Sequence, residues 1–220
     1  MGQYYRPLLK TENSITIYSR NLIIDGNEEY TMAKLTEHSW IGNWFMETMC
    51  NRIYQESSPV RLIWMGDYAD DFANNLTSDS FNGISKLAIC NYRNSVWCEP
   101  DRSIPIERVE FEIYGKYIIN HTKKEYLDFS LYYEKNVMDS YGEKWCLHPL
   151  SLLTCVGNGY GGGDYNAPTP DSDYELVGYW AWDEISIEDS YPQDYTLINP
   201  LFKEKGWESE DDTTGGENWW

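Results

Sequence analysis

The sequence predicts an α+β fold, a single domain in which an antiparallel sheet packs against two or more short helices. Three stretches carry that expectation. Ser14 to Gly26, SITIYSRNLIIDG, alternates β-branched and polar residues and closes on Asp25-Gly26, a hairpin turn signal. Val109 to Tyr133, VEFEIYGKYIINHTKKEYLDFSLYY, holds two or three alternating runs about an HTKKE turn, with tyrosines suited to cross-strand pairing. Asn43 to Gln55, NWFMETMCNRIYQ, sets Phe45, Met49 and Ile53 at i, i+4 and i+8 with Met46 and Cys50 beside them, the stripe of an amphipathic helix. A chain of 220 residues suits one domain with a sizeable core.

The remaining elements follow in order. Gly42-Asn43 supplies a cap for the helix, and Pro59 ends it. VRLIWMGDYADDF, from Val60, reads as a buried strand running into a turn. The polar, mixed stretch near 71–105 is expected as a surface insertion. HPLSLLTCV, from His148, is a short apolar helix with Pro149 in its first turn and Gly157 placed for a left-handed cap. DYELVGYWAWDEISI, from Asp173 to Ile187, reads as another strand or hairpin. The domain spans 1–205, and 206–220 forms an acidic, tryptophan-containing flexible tail. One internal echo suggests a duplicated helix-to-strand unit: Asn43 precedes Trp64 by 21 residues, and Asn158 precedes Trp180 by 22.

Charge narrows the function class. The chain carries 36 acidic and 17 basic residues, a net −19, of which −12 falls after Pro170. Phosphate contacts and base readout require lysine and arginine, so direct nucleic-acid binding is disfavoured. The same field steers a protein onto a strongly basic partner, such as the nucleic-acid channel of a nuclease. No window approaches the roughly 18 uninterrupted apolar residues of a membrane span. MGQYYRPLLK lacks a secretory signal, which points to the cytoplasm. Five cysteines without a CxxC pair read as reduced core thiols. Asn75 and Asn120 match the glycosylation pattern by chance in such a chain.

The glycine-rich stretch CVGNGYGGGDYNAPTP formally satisfies GxGxxG at Gly157, Gly159 and Gly162. A dinucleotide site needs a strand before those glycines and a helix after them. Here an apolar helix precedes them, and Pro168 and Pro170 forbid a regular helix soon after, so a helix stop and flexible turn is the first reading. The alternative is a ligand loop for a small molecule or nucleotide, formed by Gly157, Asn158, Gly159, Gly161, Gly162, Gly163 and Asp164 near Trp180. Asp67, Asp70 and Asp71, and Asp164, Asp171 and Asp173, lack the ligand alternation of a calcium loop. His38, His121 and His148 have no zinc spacing and define no nucleophile pair. No catalytic residue, metal or cofactor is expected.

The blocks MGQYY, KLTEHSWIGN, VRLIWMGDYAD, YIINHTKKEYLDFS, HPLSLLTCVGNGYGGGDY and LVGYWAWDEI resemble an uncharacterised family of small proteins from bacteria and their phages. Its pattern is an MGQYY start, a GNGxGGGDY glycine loop and a GxWA block. The family carries a basic residue at x, where this chain has Tyr160, so an anion held there in relatives loses its charge partner here. The resemblance implies a phage or bacterial cytoplasmic origin and nothing catalytic. With the charge, it leads to the expectation of a non-catalytic, anti-CRISPR-like inhibitor that docks on a host defence nuclease. The expected contact residues are Asp183, Glu184, Glu188 and Asp189, with Trp180 and Trp182 as anchors. A cryptic enzyme using the glycine loop, or an immunity protein against a basic toxin, are the alternatives.

Overall fold

A computed structural model describes residues 4–24, 27–31, 39–75, 78–97, 103–105, 108–140, 143–157 and 176–200. Strand β1 (Tyr5–Lys10) turns into β2 (Ile15–Ile24), and β2 pairs antiparallel with β3 (Asn27–Thr31), Ile24 opposite Asn27 across the Asp25-Gly26 signal. Helix α1 (Trp44–Tyr54) starts where the sequence places it: the Asn43 side chain accepts the Phe45 amide at 3.0 Å. Its stripe of Phe45, Met46, Met49, Cys50 and Ile53 is buried. Strand β4 (Val60–Gly66) follows, and its residues from Arg61 to Gly66 pair with the whole of β1.

Next come α2 (Ala69–Asn75), the hairpin of β5 (Ser80–Phe81) and β6 (Ile84–Ser85), α3 (Lys86–Trp97) and β7 (Ser103–Pro105). The stretch expected as a surface insertion contributes apolar residues to a second core that it shares with the sheet. Ala73, Ile84, Ile89 and Val96 pack with Leu8, Ile63, Met65 and Val156. The hairpin turns on Asn82-Gly83, both at positive φ, the two-residue type I′ geometry.

Strands β8 (Tyr117–Asn120) and β9 (Glu125–Asp128) form the expected hairpin about the HTKK turn. Its flanks differ from expectation. Val109 exchanges hydrogen bonds with Thr48 of α1, its amide at 3.0 Å and its carbonyl at 3.2 Å, so Val109 to Ile113 runs over the helix instead of joining the sheet. After β9, Asp128 accepts the Leu131 amide at 3.1 Å and starts α4 (Phe129–Asn136), so the third run is a helix. A small hairpin of β10 (Met138–Ser140) and β11 (Glu143–Trp145) leads to α5 (Pro149–Thr154), capped by His148 with Pro149 in its first turn.

Helix α5 ends on extended Cys155 and passes straight into β12 (Cys155–Val156), so Gly157 is not its cap. Leu176 to Asp183 is a chain of tight turns, and only Glu184–Glu188 is the strand β13. Trp64 thus lies in β4 while Trp180 lies in a turn, and the internal echo corresponds to no repeated unit. Strand β14 (Thr196–Ile198) completes the set.

The ten-stranded sheet runs β14-β9-β8-β13-β4-β1-β2-β3, with β12 beside the end of β4 and β7 beside β2. It is mixed: β14, β12 and β7 pair parallel, and the other ladders are antiparallel. Side chains alternate across β4 between two cores. Val60, Leu62 and Trp64 face α1 and α5, while Ile63 and Met65 face α2 and α3. No described helix is long and apolar enough to cross a membrane.

A candidate partner-binding face

Strand β13 reads EISIE, and its period of two decides the site. Ile185 and Ile187 point into the core shared with α1, while Glu184, Ser186 and Glu188 lie on the opposite face. The ladder extends that face across the hairpin. Ser186 sits opposite Ile119, Ile119 opposite Tyr126, and Tyr126 beside Leu197; Glu188 sits opposite Tyr117, and Tyr117 opposite Asp128. The chain after β13 folds back over the face. Tyr191 stacks on Tyr126 with ring centroids 4.2 Å apart and planes 9° from parallel, and lies 4.9 Å from Tyr117. His121 bonds Ser186 Oγ at 2.8 Å and meets Tyr195 at 3.4 Å. The result is a tyrosine-rich face in which Tyr126 is buried under Tyr191, with Glu188 and Asp128 at the ladder positions on either side of Tyr117. Loss of solvent raises the pKa of Tyr126, and its neighbour Tyr191 adds to this.

The carboxylates differ in how far they are already engaged. Asp189 accepts Lys116 Nζ at 2.7 Å and Tyr54 Oη at 2.8 Å, and these bonds, the lysine first, lower its pKa. Glu184 is exposed and pairs with Arg61 at 2.8 Å. Glu188 accepts the Ser186 hydroxyl at 2.7 Å. Beside them, Tyr54, Glu56, Ser58, Ser186 and Glu188 line an open groove of about 360 Å³ between the end of α1 and β13.

The other predicted contact residues lie inside. Trp180 is fully buried and its indole donates to Glu125 at 2.9 Å; Trp182 is buried against Tyr92 with ring centroids 4.7 Å apart. Asp183 is buried too, and accepts Asn120 Nδ2 at 2.8 Å and the Lys123 ammonium. The same bond buries Asn120 away from any glycan. Trp180 belongs to the GxWA block and Trp182 directly follows it, and the structure gives this stretch a mechanical role. The amides of Gly178, Trp180 and Trp182 bond the carbonyls of Leu152, Leu153 and Leu62, tying the turn to α5 and β4. Gly178 is left-handed at φ +71°, and a Cβ there would meet the Cys155 carbonyl oxygen at 2.4 Å, so glycine is required. Trp182, at φ +67°, is a strained position for a bulky residue. The nearby HTKK turn locks the block through Asp183 and through Thr122, which accepts the Glu184 amide at 2.9 Å.

One pair escaped the sequence: Cys50 Sγ lies 3.3 Å from His148 Nε2, 98 positions apart. His148 Nδ1 accepts the Leu150 amide at 3.1 Å, which leaves the proton on Nε2, pointing at the sulfur. Burial pushes the His148 pKa down to about 3 and the Cys50 thiol well above its usual value. A nucleophilic cysteine needs a thiolate beside an imidazolium, and burial here favours both neutral forms. Cys146, pushed up to about 12 by burial, is equally protonated. The described cysteines, Cys50, Cys90, Cys146 and Cys155, are free thiols, three of them buried.

Asp70 and Asp71 form the first turn of α2, and Asp67 accepts the Tyr4 amide at 3.1 Å. No group of three or more potential metal ligands occurs among the described residues. Of the glycine loop only Gly157 is described, where it follows β12 at the carboxyl end of β4. Asn158, Gly159, Gly161, Gly162, Gly163 and Asp164 lie outside the described residues, as do His38, Asp171, Asp173, Cys98 and the 206–220 tail. Neither a protein-family model, nor a curated protein, nor a solved structure matches the chain.

Proposed function

We propose that this chain is a non-catalytic binding protein that sets an acidic, tyrosine-rich face against a basic nucleic-acid site of another protein, acting as a phage or mobile-element inhibitor of a host defence nuclease in the bacterial cytoplasm. The observation that supports it is the alternation of β13. Ile185 and Ile187 anchor the strand, so Glu184 and Glu188 are held at fixed spacing on a rigid element beside Tyr117, Tyr126 and Tyr191. Fixed carboxylates lose little freedom on binding and retain the steering effect of charge, while tyrosines supply contact area with few rotatable bonds. Asp183, Trp180 and Trp182 serve this reading as supports of the strand and not as contacts.

Changing Glu184, Glu188 and Asp189 together to lysine should abolish capture of a basic nuclease from bacterial lysate at low salt. Deleting the chain after Lys205 should weaken it far less. Capture by the unmodified protein should fall as salt rises past physiological strength, where screening acts within about 8 Å. Equal capture by the folded charge-reversed variant overturns the reading. Recovery of a basic toxin in place of a nuclease reassigns the chain as an immunity protein.

A further inference from the structure

We infer that Arg6 of β1 anchors a second site, away from the acidic face: a seat for the oxyanion group, carboxylate or phosphate, of a small ligand. Arg6 is only 6% exposed, in a chain of net charge −19. The more exposed Arg52, Arg61 and Arg93 each pair with a carboxylate. Arg6 pairs with none among the described residues, and burial alone moves its pKa, downward. A charge taken out of water is costly to the fold unless a counterion joins it.

The ladder fixes where this charge sits. Arg6 lies opposite Met65 of β4, and Met65 opposite Val156 of β12, the residue before Gly157. Its side chain is therefore on the side of α2 and α3, at the end of the sheet where β1 begins and β4 and β12 finish.

The surroundings of the guanidinium leave one edge open. Trp97 covers its plane, with the ring centroid 4.7 Å from Cζ, and the indole is held in turn by the Met65 carbonyl at 3.3 Å. Nη1 donates to the Val96 carbonyl at 3.0 Å, in the last turn of the 12-residue α3. A helix end supplies the equivalent of about half a negative charge, so part of the guanidinium charge stays uncompensated. Nε is sealed from solvent and has no acceptor. Nη2 makes no bond either, yet it is not among the sealed atoms, so the group meets the outside there.

What remains is the edge formed by Nε and Nη2. Two of its N–H bonds run parallel, the arrangement that takes both oxygens of a carboxylate, or two of a phosphate, together. A water molecule would give Nε an acceptor but would bring no charge. An oxyanion supplies both.

The test follows the arginine Nε–H signals of the isotope-labelled full chain by NMR as sodium acetate or inorganic phosphate is added. The Arg6 signal should move and saturate with a dissociation constant of about 10 mM or tighter. The tighter of the two anions assigns the group as carboxylate or phosphate. Chloride at equal ionic strength should leave the signal in place, and Arg52 and Arg61, already paired, should not respond to any of the three. Arg6→Met gives a second measurement, since it fills similar space without the charge. With the tighter anion at about ten times its dissociation constant, the unmodified protein should melt about 4 °C higher than in chloride, and Arg6→Met should gain less than about 1 °C. Absence of a saturable movement at Arg6 with either anion overturns the seat, as does equal movement at Arg52 and Arg61. Equal gains in melting temperature make the rise a general solvent effect and overturn it too, leaving Arg6 as a side chain held by Val96 and Trp97 alone.

Discussion

The two halves of the sheet are built on different plans. Around β4, β1 and the first part of β2 both faces are covered, by α1 and α5 on one side and α2 and α3 on the other, and successive residues of β4 enter two separate cores. Across β13, β8, β9 and β14 a single core lies on one side, and the other carries Ser186, Glu188, Tyr117 and Tyr126 beneath the Tyr191 loop. The buried strand positions of the central half are apolar except for Arg6 of β1, whose guanidinium donates to the Val96 carbonyl at 3.0 Å. The outer half is less uniform: on its outer face Ile119 and Tyr126 are buried, while Tyr117, Ser186 and Glu188 stay partly exposed.

Alanine substitution along the two strands gives the largest expected effect. In β4, Leu62→Ala and Ile63→Ala should each cost about 2–5 kcal/mol although they point to opposite sides, since each empties a packed core. In β13 only Ile185 and Ile187 should behave that way, and Ser186→Ala should stay within about 1 kcal/mol. Urea denaturation measures both. A large loss at Ser186 would mean that the outer face is a third core and would break the comparison.

Next in size is Gly178→Ala, at the junction of the halves. The added Cβ falls 2.4 Å from a backbone oxygen at a left-handed position, so the turn must move, at a cost of about 3 kcal/mol. An unchanged denaturation midpoint would show that the GxWA block is not the tie between α5, β4 and β13.

These plans were legible in the sequence to different degrees. VRLIWMG reads as a buried strand, whereas Asp173 to Ile187 reads only as another strand or hairpin, and the alternation of its last residues marks which part is the strand. The Asn82-Gly83 turn was also there to be read, as a two-residue hairpin signal inside a stretch taken for an insertion. The helix α4 was hidden because FSLYY looks strand-like, and a single capping aspartate outweighs that propensity. The burial of Trp180, Trp182 and Asp183 was not legible: it depends on Gly178 meeting Cys155, and on Asn120 and Lys123 reaching Asp183, contacts 23, 63 and 60 residues apart. The Cys50–His148 pair is beyond any local pattern for the same reason. Of the contact residues read from the sequence, Glu184, Glu188 and Asp189 reach solvent, whereas Trp180, Trp182 and Asp183 lie inside.

The halves should also part on pH. His148 stays neutral in the fold down to about 3, whereas in the unfolded chain it takes a proton near pH 6.5. Between those values the unfolded state binds more protons, so stability falls as pH falls, by about 2 kcal/mol from pH 7 to pH 5. His148→Asn keeps a capping acceptor and should flatten that slope while lowering stability overall. The slope belongs to a buried group, so added salt should leave it in place. A slope that vanishes in salt would assign it to the surface carboxylates of the outer half.

The smallest effect is expected at Tyr191. Its ring covers the outer face by stacking on Tyr126, a contact worth about 0.5–1.5 kcal/mol beyond the area it buries. Ile119, opposite Tyr126 in the ladder, is fully buried yet belongs to neither of the two cores. Tyr191→Phe keeps the ring and loses only the side-chain hydrogen bond with Tyr126, and should cost no more than about 1 kcal/mol. Tyr191→Ala removes the stack and should cost about 1–2 kcal/mol, less than any core position of β4, because Tyr191 is only partly buried and water can refill the space. If the face works by contact, the same Tyr191→Ala variant should lose capture of the basic partner by much more than its stability changes, with most of the loss in dissociation. A stability loss above about 3 kcal/mol would instead make Tyr191 a core residue and the outer half a two-sided one, and the distinction between the halves would fall.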